Sequence, residues 1–248
     1  MKAAAITLGA VLALTCAPMV QAEEDNDLIG KDVIPGSFVG NVGATSDYLF
    51  RGITQTRHDP AIQGSIEYDH PSGIYLGAWG SSIDFGGMNG THAQLETDFY
   101  GGYRGSYNSL SYNIGAIGYY YVHTDGVSYA EVTGSLGYDF GVANVTGSVF
   151  YSPEYTFDSG DAVYISGDFG VPIWKSLAFG AHVGHQTIDK NVNFGTPDYT
   201  DWGLSFSAIV LGFNMRVEYH DTDLSTADCF GGTDLCDAAG IVTVSKSF

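Results

Sequence analysis

Along most of the chain, apolar and polar residues alternate one by one. In GFNMRVEYH (212–220), Phe213, Met215, Val217 and Tyr219 fall on one face, and Asn214, Arg216, Glu218 and His220 on the other. The same period sets Ile62, Ile66 and Tyr68 against Gln63, Ser65, Glu67 and Asp69, and Leu95, Phe99 and Tyr103 against Gln94, Glu96 and Asp98. A period of two is the signature of a half-buried strand. It predicts twelve strands, at 37–50, 61–69, 73–83, 93–104, 109–122, 127–138, 142–151, 160–170, 176–187, 199–210, 212–220 and 240–248. Beyond the first 22 residues no stretch carries a helical period.

That much strand is more than an ordinary globular domain holds, and two all-β architectures accommodate it: a soluble sandwich or a closed barrel. The connections separate them. Alternate turns are short: HPSG (70–73), GSYN (105–108), GV (141–142), VPIWKS (171–176) and Leu211-Gly212. Those between are longer and more polar: ITQTRHDP (53–60), DFGGMNGTH (84–92), SPEYTFDSG (152–160), DKNVNFGTPDY (189–199) and 221–239, with HTDG (123–126) a short exception. Short turns at one end and long loops at the other are the habit of outer-membrane barrels, whereas nothing in a sandwich forces the alternation. The expected fold is therefore all-β, a transmembrane antiparallel β-barrel of about twelve strands with periplasmic turns and extracellular loops. The last strand, 240–248, is expected to pair with the first, since a closed barrel leaves no edge.

Charge placement agrees with a wet lumen. Glu67, Glu96, Asp98, Glu131, Asp168, Asn214, Arg216 and Glu218 all fall on polar faces and are the candidate lumen lining. Aromatic residues near predicted strand ends (Tyr48, Phe50, Tyr119, Tyr120, Tyr121, Tyr151, Tyr155 and Trp174) suit interfacial girdles. A soluble core is the plain alternative for each one singly.

The N-terminal 22 residues combine Lys2, an apolar run from Ala3 to Leu14 and a Val20-Gln21-Ala22 cleavage pattern, which reads as a secretory signal peptide. Residues 23–36 form an acidic periplasmic lead, and 37–248 the barrel. The net charge is −19, from 9 Lys+Arg and 28 Asp+Glu. So acidic a chain lacks the basic face that nucleic acid requires. Glycine is abundant, at 34 residues, and aromatics reach 14%, with no apolar run long enough for a membrane helix. Beyond the signal only Cys229 and Cys236 remain, in DCFGGTDLCD. In an exported chain a disulfide closing a small loop is expected.

Read in order, SDYLFRGITQT (46–56), DPAIQGSIEYDH (59–70), GIYLGAWGSSIDF (73–85), ETDFYGGYRG (96–105), YSPEY (151–155), AHVGHQ (181–186), YTDWGLSFS (199–207), YHDTD (219–223) and the final VSKSF resemble the TorF family of porins. The resemblance covers nearly all of the chain after the signal. It implies a proteobacterial outer-membrane barrel with a pore function, outer-membrane lipid and lipopolysaccharide as its surroundings, and a terminal Phe248 similar to the signal read by the barrel-assembly machinery. Lys246 departs from that signal, which favours an apolar residue there.

No catalytic, cofactor or metal set stands out: GxSxG, HExxH, CxxC and a phosphate-binding GxxxxGK are absent. His182 and His185, three apart on a strand, face opposite sides. His220 and Glu218 share a face, compatible with a site or with a hydrated wall. The acidic loop carrying Asp221, Asp223, Asp228, Asp234 and Asp237 reads as a solvated surface, with divalent cations as the sharper alternative. Arg51 and Arg57 flank the first long loop, where either could counter the acidic field or meet a ligand. The expected function is passive diffusion of small hydrophilic solutes without a cofactor, with cations preferred because acidic linings select them. The rivals are a non-conducting barrel acting through its outer loops and an outer-membrane hydrolase.

Overall fold

The computed structural model describes residues 35–86, 92–122, 124 and 126–248. The expected signal peptide, nearly all of the acidic lead and parts of the loops at 84–92 and 123–126 lie outside these residues. The strands are Ser37–Thr45 (β1), Leu49–Phe50 (β2), Ile53–Thr54 (β3), Ala61–Asp69 (β4), Ile74–Ser82 (β5), Leu95–Tyr107 (β6), Leu110–Tyr121 (β7), Tyr129–Asp139 (β8), Asn144–Ser152 (β9), Ala162–Trp174 (β10), Leu177–Ile188 (β11), Tyr199–Val210 (β12), Phe213–Thr222 (β13) and Ala239–Ser247 (β14). β1 and β4–β14 make one closed antiparallel barrel of twelve strands, each paired with its neighbours, while β2 and β3 pair only with each other. Closure runs from Asn41↔Ser247 to Thr45↔Thr243, and Gly40 and Phe248 exchange two further backbone hydrogen bonds. Among the described residues no helix is long and apolar enough to cross a membrane.

The alternation seen in the sequence becomes an inside and an outside. Ile62, Ile66, Phe99, Ile114, Val132, Leu136, Val149, Ile165, Val183, Leu204, Phe206 and Val217 are exposed on the outer wall. An apolar surface this continuous suits lipid, not water. A second set of aromatics (Tyr107, Tyr138, Phe140, Trp174 and Phe213) is exposed on that wall near the short turns; Tyr and Trp are the residues enriched at membrane–water interfaces.

Three expectations need correction. The first strand stops at Thr45, not at residue 50, because 46–60 leaves the wall and turns into the barrel mouth as the hairpin β2–β3. β10 continues to Trp174, through most of the expected turn at 171–176; its pairing slips between Pro172 and Trp174, where proline has no N–H for the ladder. The loops also hold a four-residue helix, Asn191–Phe194, which has too few residues to show a helical period.

Candidate functional site

The hairpin turns on Arg51-Gly52, both at positive φ (49° and 81°). This is the mirror-image turn that suits the twist of a tight hairpin. Glycine takes such a φ freely, and a side chain at Gly52 would also press on Thr222 and Asp201 of the barrel wall. Arginine takes it at a cost, so surrounding contacts must hold it. They do. The Asp47 carboxylate accepts from Thr54 (2.5 Å), Thr56 (2.9 Å) and His58. The Thr54 N–H donates to the Leu235 carbonyl and the Asp84 N–H to that of Gln55.

So anchored, the hairpin carries Arg51 to the opposite wall. Its guanidinium is 1% exposed and donates to Glu131 on β8 (2.6 Å) and to Gln186 on β11 (2.7 Å). Rings close around it: the guanidinium carbon is 4.4 Å from the ring centre of Tyr164, 4.7 Å from Phe50, 5.2 Å from Phe150 and 6.0 Å from Tyr155. Gly184 makes room for Tyr164, because a Cβ there would collide with the ring. Tyr48, Phe50, Ile53, Phe85, Tyr119, Tyr121, Tyr129, Tyr155, Phe194, Leu235 and the Cys229–Cys236 disulfide pack as one buried cluster. The loop end of the lumen is thus filled. This corrects the girdle expectation for Tyr48, Phe50, Tyr119, Tyr121 and Tyr155, which lie inside; Tyr120, Tyr151 and Trp174 are exposed.

Three acids of the wall are enclosed with the loop-end cluster. Glu96, Asp98 and Glu131 are buried. Tyr48 donates to Glu96 and Tyr119 to Glu131. Glu96 Oε2, both Asp98 oxygens and Glu131 Oε1 have no hydrogen-bond partner. Arg51 is therefore a buried cation with one carboxylate, Glu131, in direct contact.

A second constellation crosses β10–β13. Asp201 accepts from Tyr164 (2.9 Å), His182 (3.1 Å) and His220 (3.0 Å). The other nitrogen of His182 faces Asp168 at 2.8 Å, and that of His220 faces Glu218 at 3.3 Å; Glu218 also accepts from Arg216 at 2.9 Å. Carboxylates and imidazoles alternate along this ladder, and an imidazole can donate from both nitrogens only as imidazolium. The structure brings together the expected Asp168, Arg216 and Glu218, and adds Asp201, His182 and Tyr164, which were not among the candidates. The signal for Asp201 was available: YTDWGLSFS alternates Tyr199, Asp201, Gly203 and Ser205 against Thr200, Trp202, Leu204 and Phe206. A small cavity lined by Asp168, His182, Ser205 and Arg216 opens beside the ladder.

Toward the short turns the lumen loosens. Arg104 pairs with Glu67 (2.5 Å) and with Asp69. The inward Gln63, Ser65, Asn113, Thr133, Ser135, Thr146, Ser148 and Thr243 are only partly buried. Asn214 sits exposed at the rim, and Arg57 is exposed at the opposite end. Among the described residues no group of three or more His, Cys, Asp or Glu is arranged to hold a metal ion.

Comparison with solved structures places this fold among porins. The chain is similar to the KdgM porin (TM-score 0.57, 10% identity, 86% of this chain and 99% of that one) and to the NanC porin (0.55, 9%, 84% and 98%). A KdgM porin in complex with disordered oligogalacturonate aligns equally well (0.56, 10%, 86% and 99%). At such identities the likeness concerns the fold alone. No curated protein matches the sequence. The family described as bacterial protein of unknown function (Gcw_chp) matches residues 32–248, and the chain belongs to that family.

Proposed function

We propose that the protein is an outer-membrane channel for passive diffusion of small hydrophilic solutes, with its extracellular mouth held shut by the Arg51 hairpin in the state described. One observation carries the reading: a closed barrel with an apolar outer wall encloses a half-open polar vestibule. That division serves no purpose in a soluble core. Membership of the TorF porins is part of the same proposal. The short turns then face the periplasm, and Phe248 lies at the periplasmic rim as the segment offered to the assembly machinery. Lipid and lipopolysaccharide are the expected neighbours of the wall and the loops.

Cation preference follows from the lining. Glu67, Asp69, Glu131, Asp168, Asp201 and Glu218 face Arg51, Arg104, Arg216 and the ladder histidines His182 and His220, so acids outnumber cations even with both imidazoles charged, and cations are the favoured passengers. This lining is unsuited to a polyanion, so the oligogalacturonate of the KdgM complex is not carried over. Catalysis is not proposed, because His182 and His220 have both ring nitrogens engaged by carboxylates and neither is free to activate a nucleophile.

The burial of the loop-end cluster favours a second reading, a non-conducting barrel that acts through its outer loops. Single-channel recording of the refolded protein in a planar bilayer under a KCl gradient separates the two. Discrete steps, even rare ones, with a cation-selective reversal potential support the channel. Silence from a folded barrel under every applied potential, also after removal of Arg51, supports the second reading.

A further inference from the structure

The Arg51 pocket has the features of a ligand site rather than of a simple contact. Its guanidinium meets a carboxylate at one corner and an amide carbonyl at another, Glu131 Oε2 at 2.6 Å and Gln186 Oε1 at 2.7 Å. Tyr164 on β10 and Phe150 on β9 lie at cation–π distance around it. The second oxygen of Glu131, Oε1, has no hydrogen-bond partner and stays available to a cation in the pocket. Flat aromatic faces together with directional acceptors select a planar cation over a spherical one. The occupant arrives on a two-residue turn with its residue at positive φ, held from one side by Asp47 and by the disulfide loop. It is a tethered ligand delivered to a site built on other strands.

We propose that this pocket is a guanidinium-binding site of the lumen, filled in the closed state by Arg51 of the chain itself, and that free planar cations of the guanidinium class occupy it when that side chain is removed or withdrawn. A passenger or blocker bearing such a group is then recognised at the filled loop end of the barrel. The consequence for transport rests on the channel reading; the binding chemistry does not.

The test uses the folded full-length barrel with Arg51→Ala and guanidinium chloride at millimolar concentration, the scale on which a tethered side chain competes. Two readouts are taken: the temperature at which the barrel loses its folded gel mobility, and single-channel current. At ten times its dissociation constant, guanidinium should raise the transition of Arg51→Ala by roughly 3–6 °C. Equimolar NaCl and tetramethylammonium should not, and wild type should not respond. Adding Glu131→Gln to Arg51→Ala should abolish the response. Arg51→Lys covers the case in which the alanine variant does not fold: guanidinium should shift its transition where wild type does not respond, because the ammonium lacks the planar fork that fits Glu131 and Gln186 and competes less well for the pocket. In the bilayer, Arg51→Ala should conduct and guanidinium should block it more strongly than potassium or tetramethylammonium. A thermal response no larger than that of sodium, in the alanine variant or in the lysine variant if only that one folds, overturns the guanidinium site whatever the currents show. A selective thermal response with no current in any variant upholds the site and overturns the channel reading.

Discussion

Two serines on one face of β9 show how differently the two halves of this lumen are built. Ser148 and Ser152 lie four residues apart and point the same way, yet Ser148 is partly exposed whereas Ser152 is 0% exposed. Nothing in the strand itself distinguishes them. The difference is imposed from outside the strand, by the loops at 46–60, 153–161 and 223–238, whose aromatic side chains fill the barrel above Ser148. The wall sets which residues face inward; the loops decide whether water reaches them. Ionic contacts inherit that difference. Arg51–Glu131 is sealed, while Arg104 with Glu67 and Asp69 remains partly solvated, so similar chemistry should carry different weight in each half.

Glu131→Ala leaves Arg51 buried without its carboxylate and should cost about 3–5 kcal/mol, read as a lower mobility-shift temperature and a larger open probability. Replacing Cys229 and Cys236 by serine frees the loop that supports the hairpin through the Leu235 carbonyl and should cost roughly 2–3 kcal/mol for so short a loop. Proteolysis should then cut near 46–60 sooner than in wild type. In the inner half, Glu67→Ala leaves Arg104 with Asp69 and should cost below about 1 kcal/mol, with conductance the more sensitive readout.

The smallest expected effect is a pH dependence at the outer rim. Burial lowers the His58 pKa, but the hydrogen bonds to Asp47 and to the Asp234 carbonyl outweigh it, and the net shift is upward from 6.5. A raised folded-state value means that the stabilisation is complete below the unfolded pKa and is lost as pH rises through the folded one. The hairpin should therefore loosen slightly above neutral pH, and His58→Gln should remove that dependence in hydrogen exchange of the 46–60 amides. An unchanged pH profile in the variant would assign the effect elsewhere.

The barrel was legible because each strand carries its own evidence: β13 and β6 separate their faces without reference to any neighbour. Glu96, Asp98, Glu131, Asp168, Arg216 and Glu218 followed directly from that separation. The Arg51 hairpin was not legible, since the expected strand ran on to residue 50 and ITQTRHDP (53–60) read as a loop, whereas the positive φ at Arg51 and Gly52 folds the two stretches against each other. The His182–Asp201–His220 ladder was hidden for a different reason. Its members come from three strands, and their meeting depends on registers such as His182↔Gly203 and Gly203↔His220, which no single strand encodes. The girdle expectation failed at Tyr119 and Tyr121 because one residue of displacement separates lipid-facing from lumen-facing, and Tyr120 between them took the outward place.

Ser148→Cys and Ser152→Cys test the division of the lumen most directly, because the cysteines among the described residues, Cys229 and Cys236, are joined and Cys16 lies in the expected signal peptide. Each folded variant is treated with a small charged thiol reagent and the rate of labelling is measured. The account predicts that the cysteine at 148 reacts readily while that at 152 stays unreactive until the barrel is heated or Arg51 is replaced. Equal labelling at both positions in the otherwise wild-type barrel would show an open outer half and contradict it.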